Sequence, residues 1–173
     1  MSEILILGAG RSAGFLIDYL LEWSQNQSFK VRIADQSVGQ LEYLKATYPN
    51  LILESVNIQD QEKRSALIQG AFIVVSMLPA FMHPIVAADC LKLGVHLATA
   101  SYESEELKAI SNEIESKGLI FLNECGLDPG IDHMSAMQIF ENLTKRDYKI
   151  TEFHSYCGGF VAPDCVGEIP WGY

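Results

Sequence analysis

Residues 4–14 read Ile4-Leu5-Ile6-Leu7-Gly8-Ala9-Gly10-Arg11-Ser12-Ala13-Gly14. Four apolar residues running into a glycine predict a short strand buried on both faces. From Ala13 to Trp23, Phe15, Leu16, Tyr19, Leu20 and Trp23 recur at helical spacing, so a helix follows at once. The turn between them is Gly-x-Gly-x-x-Ala, a permitted variant of the dinucleotide fingerprint. Gly8 allows the tight turn, Gly10 lets a pyrophosphate approach the backbone, and Ala13 is small enough for close helix–strand packing. Arg11 and Ser12 lie in the same turn. The helix start supplies free N–H groups and a partial positive charge to the phosphates.

A glycine turn by itself is commonly only a turn. What favours a ligand is the order of what comes next: Phe29 to Ala34 alternates like a strand and ends in Asp35. A carboxylate there accepts from ribose hydroxyls and repels a 2′-phosphate, so NAD(H) is expected and NADP(H) is the less favoured cofactor. The competing reading of Asp35 is a cap for the segment after it.

Working outward, Val38 to Tyr48 reads as a helix stopped by Pro49, Leu51 to Val56 as a strand, and Asp60 to Ile68 as a helix. Ala71 to Met77 is a buried strand leading into Leu78 and Pro79, and His83 to Leu93 is a helix ended by Gly94. Val95 to Ala98 and Leu119 to Leu122 read as strands, on either side of a helix over Ser104 to Lys117 with Ser104 as its cap. Such alternation predicts an α/β fold, a Rossmann-type doubly wound parallel sheet with helices on both faces. The pattern changes after Asn123, where a Gly/Pro loop leads into a helix and then a longer strand over Lys149 to Tyr156. The expected division is a nucleotide-binding domain over 1–125 and the start of a second, α+β substrate domain over 126–173. That last strand would lack some pairing partners, an edge that leaves a homodimer open.

Twelve Lys and Arg against 22 Asp and Glu give a net charge of −10, which repels phosphate backbones, so neither nucleic acid nor a membrane surface is an expected partner. No apolar run reaches the length of a membrane span, and no secretion signal is visible. Cytoplasmic placement is therefore expected. Cys90, Cys125, Cys157 and Cys165 lack metal-ligand spacing and read as free thiols, with no metal expected.

Four further segments carry a resemblance. They are Ser76-Met77-Leu78-Pro79 with His83, Thr99-Ala100-Ser101-Tyr102, Asn123 to His133 (NECGLDPGIDH), and Ser155-Tyr156-Cys157-Gly158-Gly159 with Ala162-Pro163. In this order they resemble the saccharopine dehydrogenase family of the glutamate-forming type, across nearly the whole chain. The resemblance implies oxidation of a CH–NH bond in saccharopine or a related secondary amine, with hydride passing to nicotinamide and water then releasing glutamate, or the reverse. The small-molecule substrate would carry several carboxylates. Family members run to more than twice this length, so the chain reads as a fragment that is inactive by itself.

The resemblance also implies that Tyr102, Asp128 and Cys157 surround the reacting carbon and its water, with Ser101, Asp132 and His133 as further substrate contacts. Imine hydrolysis requires a positioned water and groups that shuttle protons, which suits a carboxylate and a phenol. Each residue has a plainer reading. Asp128 before Pro129-Gly130 is an ordinary turn acid, Tyr102 ends a strand, Cys157 sits among small residues, and Asp132 could cap the next helix. His83 leans structural. Two functional alternatives stay open: a related amine or imine oxidoreductase of the lysine or carboxynorspermidine type, and a non-catalytic NAD-binding module.

Overall fold

The first strand, β1 (Ser2–Leu7), shows why its sequence does not alternate. Ile4, Leu5, Ile6 and Leu7 are all buried, because the strand lies at the centre of a sheet covered on both faces. Leu5 and Leu7 point into one core with Val74, Val86 and Leu97. Ile4 and Ile6 point into the other with Ile17, Leu21 and Ile33. The computed structural model describes residues 2–27 and 29–156; Cys157 and Cys165 lie outside them.

After β1 come α1 (Gly14–Gln25), β2 (Phe29–Asp35), a 3-10 helix (Gly39–Ala46), β3 (Ile52–Ser55), α2 (Gln61–Ile68) and β4 (Ile73–Ser76). A short 3-10 turn (Ala80–Met82) then leads to α3 (His83–Leu93), β5 (His96–Thr99), α4 (Glu105–Ala109), α5 (Ser111–Ser116), β6 (Phe121–Leu122) and α6 (Ile131–Thr144). The six strands form one sheet in the order β3-β2-β1-β4-β5-β6, and every pair is parallel. This is the doubly wound arrangement expected from the alternation. The strand order reverses between β1 and β4, so the crevice for a ligand opens at their carboxyl ends. The chain divides into two compact units, Met1–Ser135 and Ala136–Tyr173, and all six strands belong to the first. In the second unit Phe140 and Phe153 meet edge to face at 5.0 Å. Among the described residues no helix is long and apolar enough to cross a membrane.

Three local expectations are corrected. The segment after β2 is a 3-10 helix, because Leu41 and Leu44 are what it offers to the core, and a spacing of three matches the 3-10 period. The helix expected over Ser104 to Lys117 breaks at Ile110. That residue packs on the core and takes an i→i+3 bond from its N–H to the Leu107 carbonyl. Ser104 does cap the first half, accepting from the Leu107 N–H at 3.4 Å. Residues 149–156 form no strand. A strand exists only against a partner, and among the described residues none pairs with them.

The helices on the β4 side are tied by a buried ion pair. Arg64 Nε of α2 donates to Asp89 Oδ2 of α3 at 2.8 Å, Arg64 Nη1 donates to the Ile58 carbonyl, and Ser65 Oγ donates to the same Asp89 oxygen. Both charged side chains are under 8% exposed. Removing one partner strands a buried charge, so Asp89→Ala is expected to cost about 3 kcal/mol of stability. At roughly 2–4 °C per kcal/mol for a chain of this size, a thermal melt should register the loss clearly. A melt unchanged from the parent would show that the pair contributes nothing. The Cys90 thiol on α3 is wholly buried, and burial pushes its pKa up to about 12, so it stays a protonated, inert thiol.

Candidate functional site

The fingerprint turn joins the carboxyl ends of the central strands. The Gly8 N–H donates to the Ala34 carbonyl of β2 at 2.9 Å, and the Met77 N–H donates to the Leu7 carbonyl at 2.8 Å. Gly8 has φ +96°, and a side chain there would meet the Met77 carbonyl at 3.0 Å, so position 8 requires glycine on both counts. Leu78 and Pro79 leave β4 on the other side of that contact. Ala13 is fully buried, packing α1 against the strands with Ile6 and Ile17. Among the described residues no side chain caps the start of α1, which leaves the N–H groups of its first turn for a ligand. Gly10 has open space where a Cβ would stand, and Arg11 and Ser12 are exposed beside it. An uncapped helix start behind an open glycine turn fits a dinucleotide pyrophosphate.

Asp35 has a role that its position in the sequence does not reveal. Its Oδ2 accepts from the Ala9 N–H at 2.7 Å, and its Oδ1 from the Ser37 N–H at 2.9 Å. The carboxylate braces the fingerprint loop against the loop after β2. An acid at this place is therefore no sign that ribose hydroxyls are its purpose.

The second cluster lies at the carboxyl ends of β5 and β6. The Cys125 N–H donates to the Thr99 carbonyl and the Glu124 N–H to the Ser101 carbonyl, both at 3.0 Å, so the chain beyond β6 stays stitched to the chain beyond β5. This brings Asp128 to Tyr102, whose Oη donates to Asp128 Oδ1 at 3.1 Å. The hydrogen bond, and then the negative charge of Asp128, push the Tyr102 pKa up, so the phenol keeps its proton. The loop holding Asp128 closes on itself. The Gly126 N–H donates to the Pro129 carbonyl, the Ile131 N–H to the Gly126 carbonyl, and the Asp132 N–H to the Leu127 carbonyl. Asp132 Oδ1 accepts from the Gly130 N–H and meets His133 Nδ1, each at 2.8 Å. Partial burial raises the Asp132 pKa, but the Gly130 and His133 donors outweigh it and leave the carboxyl below its ordinary value.

A third arrangement escaped the sequence. His83 is buried, with Nδ1 at 3.0 Å from Ser76 Oγ and Nε2 at 2.9 Å from Ser101 Oγ. It joins the end of β4 to the residue beside Tyr102. The signal was a serine at the end of one strand and another two residues beyond the next, flanking a helix-start histidine, but nothing local says that they meet.

Comparisons with known proteins agree with this geometry. Residues 4–122 match the saccharopine dehydrogenase NADP binding domain, and residues 126–173 match the saccharopine dehydrogenase C-terminal domain. The chain is 30% identical over 171 residues to saccharopine dehydrogenase [NADP(+), L-glutamate-forming] of Saccharomyces cerevisiae, covering 99% of this chain and 37% of the relative. It is 34% identical over 164 residues to the mitochondrial alpha-aminoadipic semialdehyde synthase of Bos taurus, covering 94% of this chain and 17% of that protein. The chain thus spans well under half the length of these curated relatives. The solved structure of apo saccharopine dehydrogenase (L-Glu forming) from Saccharomyces cerevisiae superposes with a TM-score of 0.72 at 26% identity, over 84% of this chain and 32% of that one.

These findings overturn the expectation of NAD(H). The matching domain is an NADP-binding one and the fungal relatives are NADP(+) enzymes, while Asp35, on which the expectation rested, is engaged by backbone amides. With a family domain matched over most of its length and the parallel sheet, glycine turn and GLDPGID loop in place, the chain belongs to the saccharopine dehydrogenase family.

Proposed function

We propose that this chain carries the NADP(H)-binding crevice and the proton-handling corner of an enzyme that oxidises the CH–NH bond of saccharopine or a closely related secondary amine. The observation that carries the reading is the 3.1 Å contact between Tyr102 and Asp128, at the carboxyl edge of the same sheet whose central turn is the dinucleotide fingerprint. In the oxidative direction the substrate carbon gives up a hydride, the nitrogen lone pair forms the C=N bond, and water adds to that carbon to release an amine and an aldehyde. The bound nicotinamide supplies the hydride acceptor.

The chain's own residues do the rest. The Gly8–Ala13 turn and the uncapped start of α1 hold the pyrophosphate, with Leu78 and Pro79 flanking the crevice at the end of β4. Arg11, in the fingerprint loop that Asp35 braces through Ala9, is the cation for the 2′-phosphate. Asp128 accepts the amine proton and orients the attacking water, while Tyr102 keeps its own proton and aims the carboxylate. Ser101 and His133 contact the substrate's carboxylate-bearing arms, and Asp132, an ionised acceptor, holds His133 and contacts a donor group of the substrate. Cys157, outside the described residues, is assigned a place beside the water by family resemblance.

The test is a stoichiometric assay of the full-length protein that carries this chain with saccharopine and NADP+. Nicotinamide reduction matched by glutamate release is the expected result. Reduction accompanied by lysine release, or none with saccharopine under conditions where a related amine reacts, would redirect the substrate assignment.

A further inference from the structure

We infer that His83 is a positioning residue, fixing Ser101 through Nε2–H as an outward hydrogen-bond donor to a carboxylate of the substrate, beside Tyr102 and Asp128. The inference rests on the reading of this edge as the substrate site and adds to it a residue that acts from below. Its starting point is Ser76, the last residue of β4, whose side chain is wholly buried. A hydroxyl there must place its proton on an acceptor. Among the described residues the partner of Ser76 Oγ is His83 Nδ1, at 3.0 Å. If Nδ1 carried hydrogen, the Ser76 proton would be left in the interior with nothing to receive it. Ser76 therefore donates to Nδ1, and the imidazole is neutral with its hydrogen on Nε2.

The rest follows along the chain of bonds. Nε2–H donates to Ser101 Oγ at 2.9 Å. With one lone pair taken from below, the Ser101 hydroxyl turns its proton away from His83, toward the carboxyl edge where Tyr102 and Asp128 sit. Two features keep the imidazole neutral. His83 is the first residue of α3, where the helix dipole disfavours a cation, and burial lowers its pKa. The arrangement differs from a bridge that merely ties β4 to β5, because it gives a definite direction to each proton. A donor so oriented suits the carboxylate class of acceptor and discriminates against an apolar or ammonium arm, which would leave it unpaired.

The test has two arms. Long-range 1H–15N NMR of histidine-labelled protein at neutral pH reads the tautomer without any activity. A single Nε2–H form of His83 is expected, and an Nδ1–H or protonated ring would overturn the inference. Steady-state kinetics of the full-length protein with the amine substrate form the second arm, on His83→Leu, Ser101→Ala and the double variant. Each single change is expected to raise KM by roughly 10-fold or more with kcat within about threefold, and the double variant to be no worse than either. Additive losses, or a lowered melting temperature with KM unchanged, would show a structural tie and no more. Absence of turnover by the full-length parent with every dicarboxylic or tricarboxylic amine would overturn the reaction reading and the substrate half of this inference, while the tautomer result decides the orientation by itself.

Discussion

In the full-length enzyme Asp128→Asn is expected to lower kcat by roughly 100- to 10,000-fold, the usual worth of a positioned proton-transfer group. The melting temperature should barely move. The carboxylate is exposed and its one side-chain partner among the described residues is the Tyr102 hydroxyl, to which an Asn oxygen can still offer an acceptor. The loop itself is closed by backbone bonds among Gly126, Leu127, Pro129, Ile131 and Asp132, none of which involves the Asp128 side chain. What the substitution removes is the charge that draws the amine proton. Rate and melt must be measured side by side. A rate within about threefold of the parent would make Asp128 a turn residue and nothing else. A fall in melting temperature proportionate to the loss of activity would point to folding instead.

Gly130→Ala should remove activity of the full-length enzyme by a different route. Gly130 has φ +148°, and a Cβ there would stand 2.1 Å from the Gly126 carbonyl oxygen, a distance no packing adjustment of a flexible side chain can relieve. The loop must open, and with it goes the contact between Asp128 and Tyr102. Strain of this kind costs roughly 1–3 kcal/mol, so the melt should fall by several degrees as well. The fingerprint turn is a separate piece of backbone. NADPH affinity, measured by fluorescence titration, should therefore hold within about twofold while kcat/KM drops by roughly 100-fold or more. Full activity in the alanine variant would mean that the loop's closed form is not the working one.

The strength of the sequence signal varied with how local its cause was. β1 announced itself because each of its four apolar residues is buried, and the turn after it because glycine is demanded by a single φ and a single close approach. The helix after β4 was bounded correctly by His83 and Gly94 for similarly local reasons. The 3-10 segment was missed because periods of 3.0 and 3.6 differ little over eight residues. The break at Ile110 was missed because the core, and not propensity, turns that residue inward. The strand expected over 149–156 depends on a partner, which its own residues do not name. Asp35 misled for the same reason: the amides of Ala9 and Ser37 that hold it are visible only in three dimensions. The Ser76–His83–Ser101 chain combines residues from a strand end, a helix start and the loop after β5, and no spacing rule joins them.

The most direct test of the account is a calorimetric titration of the chain with NADPH and with NADH, repeated on Arg11→Ala. A helix start without a side-chain cap and an open glycine turn fit the pyrophosphate that both cofactors carry, and the match to an NADP-binding family domain favours the phosphorylated one. NADPH is expected to bind at least ~10-fold tighter than NADH, the scale of one charge-assisted contact to a phosphate, and Arg11→Ala should erase most of that difference while leaving NADH unchanged. Equal affinities in the parent, or NADH the tighter of the two, would contradict it.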